Sequence, residues 1–172
     1  MTIPDFQSML LPLLQACADG KEHSKQQVLP LLAKHFDLTN DELVIKLPSG
    51  KQGMFNNRVG WARTYLKQAG ILEYVQRGVF RITPRGLQVL SENPESMNIK
   101  SLKRFPEFEV FNCGKSGEKI KAAKTVAVSA ETPDELIANG YTQLRETLAM
   151  DLLGRIKTIS PTRLRAWSSN CC

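Results

Sequence analysis

Three helical patterns, a two-stranded hairpin and one more short helix follow each other over residues 1–93. That order predicts a mainly α chain with a small β-hairpin, built on a winged helix-turn-helix plan. Two further observations complete the prediction. Positive charge is concentrated over the third long helix and the hairpin, and an amphipathic segment stands apart at residues 131–160. The expected organisation is a winged-helix domain over 1–93, a linker over 94–130, a connector helix over 131–160 and a tail over 161–172.

The first helix is expected over about 4–18. Pro4 suits a first turn, and Phe6, Met9, Leu10, Leu13 and Leu14 recur at helical spacing. ADGKEHSKQQ reads as a turn, with Ser24 capping a second helix over about 25–35 that Pro30 kinks. Thr39 or Asn40 caps a short third helix. LPSGKQG then interrupts the chain with Pro48, Gly50 and Gly53. The longer helix that follows, over about 54–68, gathers Phe55, Val59, Ala62 and Leu66 into one arc, its core face. Gly70 ends it.

Ile71, Leu72, Tyr74 and Val75 predict one strand, and Val79, Phe80 and Ile82 a second, joined at Gln76, Arg77 and Gly78. Thr83 and Pro84 start the last short helix. The linker carries a hydrophobic knot of Phe105, Phe108, Val110 and Phe111, read as a single docking point. Thr132, Pro133 and Glu135 form a capping box for the connector helix. Its stripe is Ile137, Tyr141, Leu144, Leu148, Leu152 and Ile156.

The net charge of +6 is unevenly placed. Residues 51–104 hold 10 basic and 3 acidic side chains, against 4 and 6 in residues 1–50 and 9 and 8 in residues 105–172. Such a local excess points to a polyanion, most simply nucleic acid; the plainer alternative is a solvated basic face. No apolar run reaches membrane-spanning length and the start lacks a basic leader, so a cytoplasmic protein without membrane contact is expected. The cysteines Cys17, Cys113, Cys171 and Cys172 fit neither a disulfide framework nor a zinc spacing.

The side of the 54–68 helix opposite its core arc offers Asn57, Gly60, Trp61, Thr64 and Lys67, flanked by Arg58 and Arg63. A helix of this kind can lie in a major groove, where an asparagine amide pairs with adenine and an arginine forks onto guanine. Ser49 and Lys51 in the preceding loop can meet phosphate, and Arg77 at the hairpin tip can reach the backbone or the narrow groove. The candidate DNA-binding residues are therefore Ser49, Lys51, Asn56, Asn57, Arg58, Trp61, Arg63, Thr64, Lys67 and Arg77. Plainer roles stand beside these: Asn56 as a cap, Trp61 packed under the hairpin or the first helix, Arg58 and Arg63 as solvated charges.

Catalysis finds little support. His23 sits in a turn and His35 ends a helix, and no serine or cysteine has a partner arrangement. NCGKSGEK lacks the spacing of a phosphate-binding loop. The carboxylates Asp134, Glu135 and Asp151 read as capping and solvent-facing groups of the connector helix.

LPSGKQGMFNNRVGWARTYLKQAGIL together with RGVFRITPRG resembles the N-terminal domain of the Mrr restriction endonucleases. RFPEF and TPDELIANGYTQLRETLAMDLLGRIKTISP resemble the segment joining that domain to the nuclease domain, so the likeness extends to about Pro161. It implies the DNA-binding part of a type IV-like, modification-dependent restriction system. In such proteins a nuclease domain resembling the PD-(D/E)xK class uses an acidic residue and a lysine near a divalent metal such as Mg. Its usual opening is not found after Pro161. Read one base out of frame, the codons of Trp167, Ser168, Cys171 and Cys172 can encode Val and two leucines of such an opening. This predicts a frameshift near Thr162, the alternative being a natural, unstructured terminus. The expectation is thus a protein that binds duplex DNA, methylated or not, needs no cofactor and cleaves nothing. Its apolar stripe is expected either to fold back on the winged helix or to self-associate through the 133–157 helix. A protein-binding winged helix and a fragment of an active nuclease are the other readings.

Overall fold

The computed structural model describes residues 3–92, 94–113 and 131–158, and the chain divides into two units, Met1–Thr132 and Pro133–Cys172. The first unit is mainly helical with a small antiparallel sheet. Its elements are α1 (Leu10–Ala16), β1 (His23–Ser24), α2 (Lys25–His35), α3 (Asn40–Val44), α4 (Met54–Gln68), β2 (Leu72–Gln76), β3 (Val79–Ile82), α5 (Pro84–Ser91), α6 (Ile99–Leu102) and α7 (Pro106–Cys113).

Local chemistry sets most of the boundaries. Ser24 and Gln27 form a capping box at the start of α2, and Thr39 and Glu42 form another at the start of α3. α4 ends in a left-handed Gly70, with Ile71 N–H donating to Leu66 O and Gly70 N–H to Lys67 O. This is the paired bond of a Schellman motif, and it turns the chain from helix into strand. The first helix is shorter than expected. Residues 6–9 form turns, with the Asp5 carboxylate accepting from the Ser8 N–H at 2.8 Å, and the regular helix begins at Leu10.

The expected hairpin is present as β2 and β3, joined by Arg77 and Gly78, with Gly78 at φ +84 and a register shift between Tyr74 and Gln76. A third strand joins it. His23 pairs with Phe80 and Ser24 with Val79, giving the order β1-β3-β2. The sequence reading had only a turn there. The added strand ties the start of α2 to the hairpin.

The core arc of α4 is as the spacing predicts: Phe55, Val59, Ala62 and Leu66 are buried against Met9, Leu10, Leu13 and Leu14 from the first helix region and Val28 and Leu32 of α2. Leu72, Phe80 and Ile82 close it from the sheet. The segment read as linker contributes α6 and α7, and its Met97, Leu102 and Phe108 lie in this same core. Of the expected knot, Phe108 is buried and Phe105 packs partly against the core, whereas Val110 and Phe111 are exposed. The NCGKSGEK stretch from Gly114 and the tail from residue 161 lie outside the described residues.

Among the described residues the second unit holds one helix, α8 (Pro133–Thr158). At 26 residues it is about 39 Å long. Its stripe Ile137, Tyr141, Leu144, Leu148, Leu152 and Ile156 is exposed along its length. No helix among the described residues is long and apolar enough to cross a membrane.

Candidate nucleic-acid interface

α4 carries most of the candidate residues, and its two outer rows have different fates. One row is Asn57, Arg58, Trp61 and Thr64. Asn57 is buried, 3% exposed, and its Oδ1 accepts a 2.8 Å hydrogen bond from the Thr132 hydroxyl. Arg58 Nη1 donates to the backbone carbonyls of Ile3 and Pro4 at 2.7 and 2.9 Å. Trp61 stands edge-on to Tyr65 at 6.0 Å, and Tyr65 in turn touches Phe6, Phe108 and Phe111. Thr64 Oγ1 donates to Gly60 O along its own helix. In this row Asn57 meets Thr132 and Arg58 the chain's start, Trp61 adjoins the aromatic cluster that Tyr65 forms with α7, and Thr64 bonds within α4.

The other row is Asn56, Gly60, Arg63 and Lys67, spaced four, three and four residues apart on one face. The Arg63 guanidinium lies over the rings of Tyr74 and Phe80 at 5.2 and 5.6 Å, and the Lys67 ammonium over Tyr74 at 5.0 Å. Cation–π contact holds both charges against the hairpin without neutralising them. Lys25, the first residue of α2, reaches across the gap left by Gly60, where an added Cβ would stand 3.3 Å from its Nζ. Burial, and then the nearby Arg63, push the Lys25 ammonium below the ordinary lysine range. Arg77 is exposed in the hairpin turn. Ser49 and Lys51 are exposed on the loop before α4. That loop is closed by the Lys46–Gly53 bridge and by bonds from Met54 N–H to Ile45 O and from Leu47 N–H to Gln52 O.

Ion pairing separates the arginines of this surface from those of β3, α5 and the turn after α6, while Lys21, Lys34, Lys46, Lys100 and Lys103 have no ion-pair partner among the described residues either. Arg81, Arg85 and Arg104 are paired with Glu73, Glu107 and Glu92. Lys25, Lys51, Arg63, Lys67 and Arg77 have no ion-pair partner among the described residues. Lys25 did not figure among the sequence candidates. The signal available was its place directly after the Ser24 cap, in a first turn without acidic residues.

Residues 6–92 match the family described as the Mrr N-terminal domain. The chain belongs to that family. The matched span runs from the turns before α1 to the end of α5 and contains every candidate residue as well as Lys25. The chain is also similar to the type IV methyl-directed restriction enzyme EcoKMrr of Escherichia coli strain K12, 24% identical over 176 aligned positions. That alignment covers 95% of this chain and 56% of the relative, so the chain spans little more than half that relative's length. No solved structure matches it significantly. The resemblance to Mrr proteins implies a divalent metal for their nuclease domain. Among the described residues no group of three or more His, Cys, Asp and Glu side chains comes together to hold one.

Proposed function

We propose that the Mrr N-terminal domain of this chain binds duplex DNA as a winged helix-turn-helix within a restriction system, as the name of its relative suggests. α4 is the recognition helix and the β2–β3 hairpin is the wing. The observation that carries this reading is the set of unneutralised cations on α2, α4, the hairpin and the 49–51 loop, beside a chain whose other hairpin and α5 arginines are paired. Lys67 addresses the groove, and Asn56 and Arg63 stand where α4 meets the hairpin turn. Ser49, Lys51 and Arg77 address the backbone. Asn57, Arg58, Trp61 and Thr64 serve the recognition helix by holding it in place.

The role proposed for this domain is binding, not cleavage, so plasmid incubated with the chain and magnesium stays intact. The test of binding is the double variant Arg63→Ala/Lys67→Ala, followed by fluorescence anisotropy on a labelled duplex. Losing two phosphate-reaching or base-reaching cations is expected to cost on the order of 10-fold or more in affinity; unchanged affinity removes α4 from the interface. Parallel titrations with methylated and unmethylated duplexes report whether the domain reads modification. For α8 we propose self-association through its exposed stripe. Sedimentation of the wild type against Leu144→Glu/Leu148→Glu tests it, with a shift to smaller species expected.

A further inference from the structure

A cavity of about 420 Å³ lies between the start of α2, one side of α4 and the hairpin turn. Lys25, Arg63 and Arg77 line it, and no carboxylate does. Gathering like charges round a hollow is unfavourable, and Lys25 shows the strain: burial and the neighbouring guanidinium both disfavour its charged form. A bound anion would favour the charged form and so offset both effects. Arg63 Nε, in the wall, points the same way: it is buried without an acceptor, whereas Asn56 Oδ1 is buried without a donor. α2 contributes its first turn, whose positive end has no acidic residue to offset it.

We propose that this cavity binds one phosphate group, a phosphodiester of the DNA backbone, held jointly by Lys25, Arg63 and Arg77. The assignment rests on the duplex-binding reading above and deepens it. Lys25 becomes a contact residue, and the hairpin and α2 are clamped to one point on the backbone. Arg77, exposed at the hairpin turn, closes the site from outside, while Lys25 and Arg63 form its floor.

The test compares wild type, Lys25→Gln, Arg77→Gln and the double variant on one duplex across a salt series. One phosphate releases its counterions once, however many cations touch it, at about 0.9 in the slope of log affinity against log salt. Each single variant is therefore expected to weaken binding severalfold, and the double variant to lower the slope by about one in total. A fall of about two assigns Lys25 and Arg77 to separate phosphates and overturns the proposal. An unchanged slope with duplex binding intact overturns it as well.

A second arm needs no DNA. Inorganic phosphate, added at constant ionic strength against chloride, should raise the unfolding midpoint of the wild type and not that of Lys25→Gln. Lys25→Gln itself should unfold no earlier than wild type, because it relieves the crowding with Arg63. A wild type that ignores duplex but is stabilised by phosphate through Lys25 would refute the backbone assignment and leave a free-phosphate site. A wild type that ignores both would refute this proposal and the duplex reading together.

Discussion

Replacing Gly86 by alanine sets two effects of opposite sign against each other, and the structure decides between them. Gly86 lies in the first turn of α5, where alanine is worth up to about 1 kcal/mol over glycine in helix propensity. Its φ is not in the left-handed region, so backbone conformation is no obstacle. Space is the obstacle. A Cβ at this position would stand 2.5 Å from Ile71 O and 2.6 Å from Ile82 Cγ1. Ile71 O cannot withdraw freely, because it accepts from the Thr83 N–H at 3.0 Å and lies 3.0 Å from the Thr83 hydroxyl, whose one hydrogen it shares with Gly70 O at 2.8 Å. Forcing a methyl into such a site costs about 1–3 kcal/mol, and each hydrogen bond weakened adds about 0.5–1.5 kcal/mol. The sum exceeds the propensity gain, so Gly86→Ala should be destabilised by about 1–3 kcal/mol. Urea unfolding followed by tryptophan fluorescence measures it as a lower midpoint at unchanged slope. A variant equal to or more stable than wild type would refute the close approach of α5 to the strand that leads out of α4.

Three other outcomes follow from the same structure. Asn57→Ala leaves the buried Thr132 hydroxyl without its acceptor, so it should lose about 1–3 kcal/mol of stability while duplex affinity, compared under conditions where both proteins are folded, stays within about twofold; a stable variant with lost affinity would return Asn57 to the interface. Burial, and secondarily Asp19, push the Cys17 thiol up to about 12, so at pH 8 native protein should keep Cys17 unalkylated while urea-unfolded protein is modified, as peptide mass mapping reads. Bonds from the Thr39 N–H and hydroxyl hold the Glu42 carboxyl below the ordinary range. Its stabilisation is then complete above the unfolded pKa and is lost as pH falls through the folded one. Glu42→Gln should accordingly be less stable than wild type at neutral pH, with the difference closing in acid. A difference constant with pH would contradict this.

The parts of the fold legible in the sequence are those governed by neighbours in the chain. The helical period placed Phe55, Val59, Ala62 and Leu66 on the core side of α4, and Ser24, Thr83 and Gly70 marked boundaries that hydrogen bonds of known geometry enforce. What escaped depends on distant partners. β1 is two residues long and exists because Phe80 and Val79 lie beside it. α6 spans only four residues, and it is contact of Leu102 and Phe108 with the distant main core that organises α6 and α7. In the candidate site, Asn56 and Asn57 look alike in sequence, yet about 100° of helix rotation puts one beside the hairpin cavity and the other against Thr132, 75 residues away. Arg58 reads as a free cation until the carbonyls of Ile3 and Pro4 claim it. Lys25 reads as an ordinary helix start until Gly60 opens the gap it fills.

The most direct measurement is a titration of the purified chain against a duplex from about 50 to about 200 mM salt. Two or three contacted phosphates, counting the one shared by Lys25, Arg63 and Arg77 once, predict a log–log slope of about −2 to −3, a loss of affinity of roughly 10- to 40-fold across that range. A folded protein that shows no binding at the lowest salt, or binding indifferent to salt, would contradict the claim that the α4–hairpin surface is built for DNA.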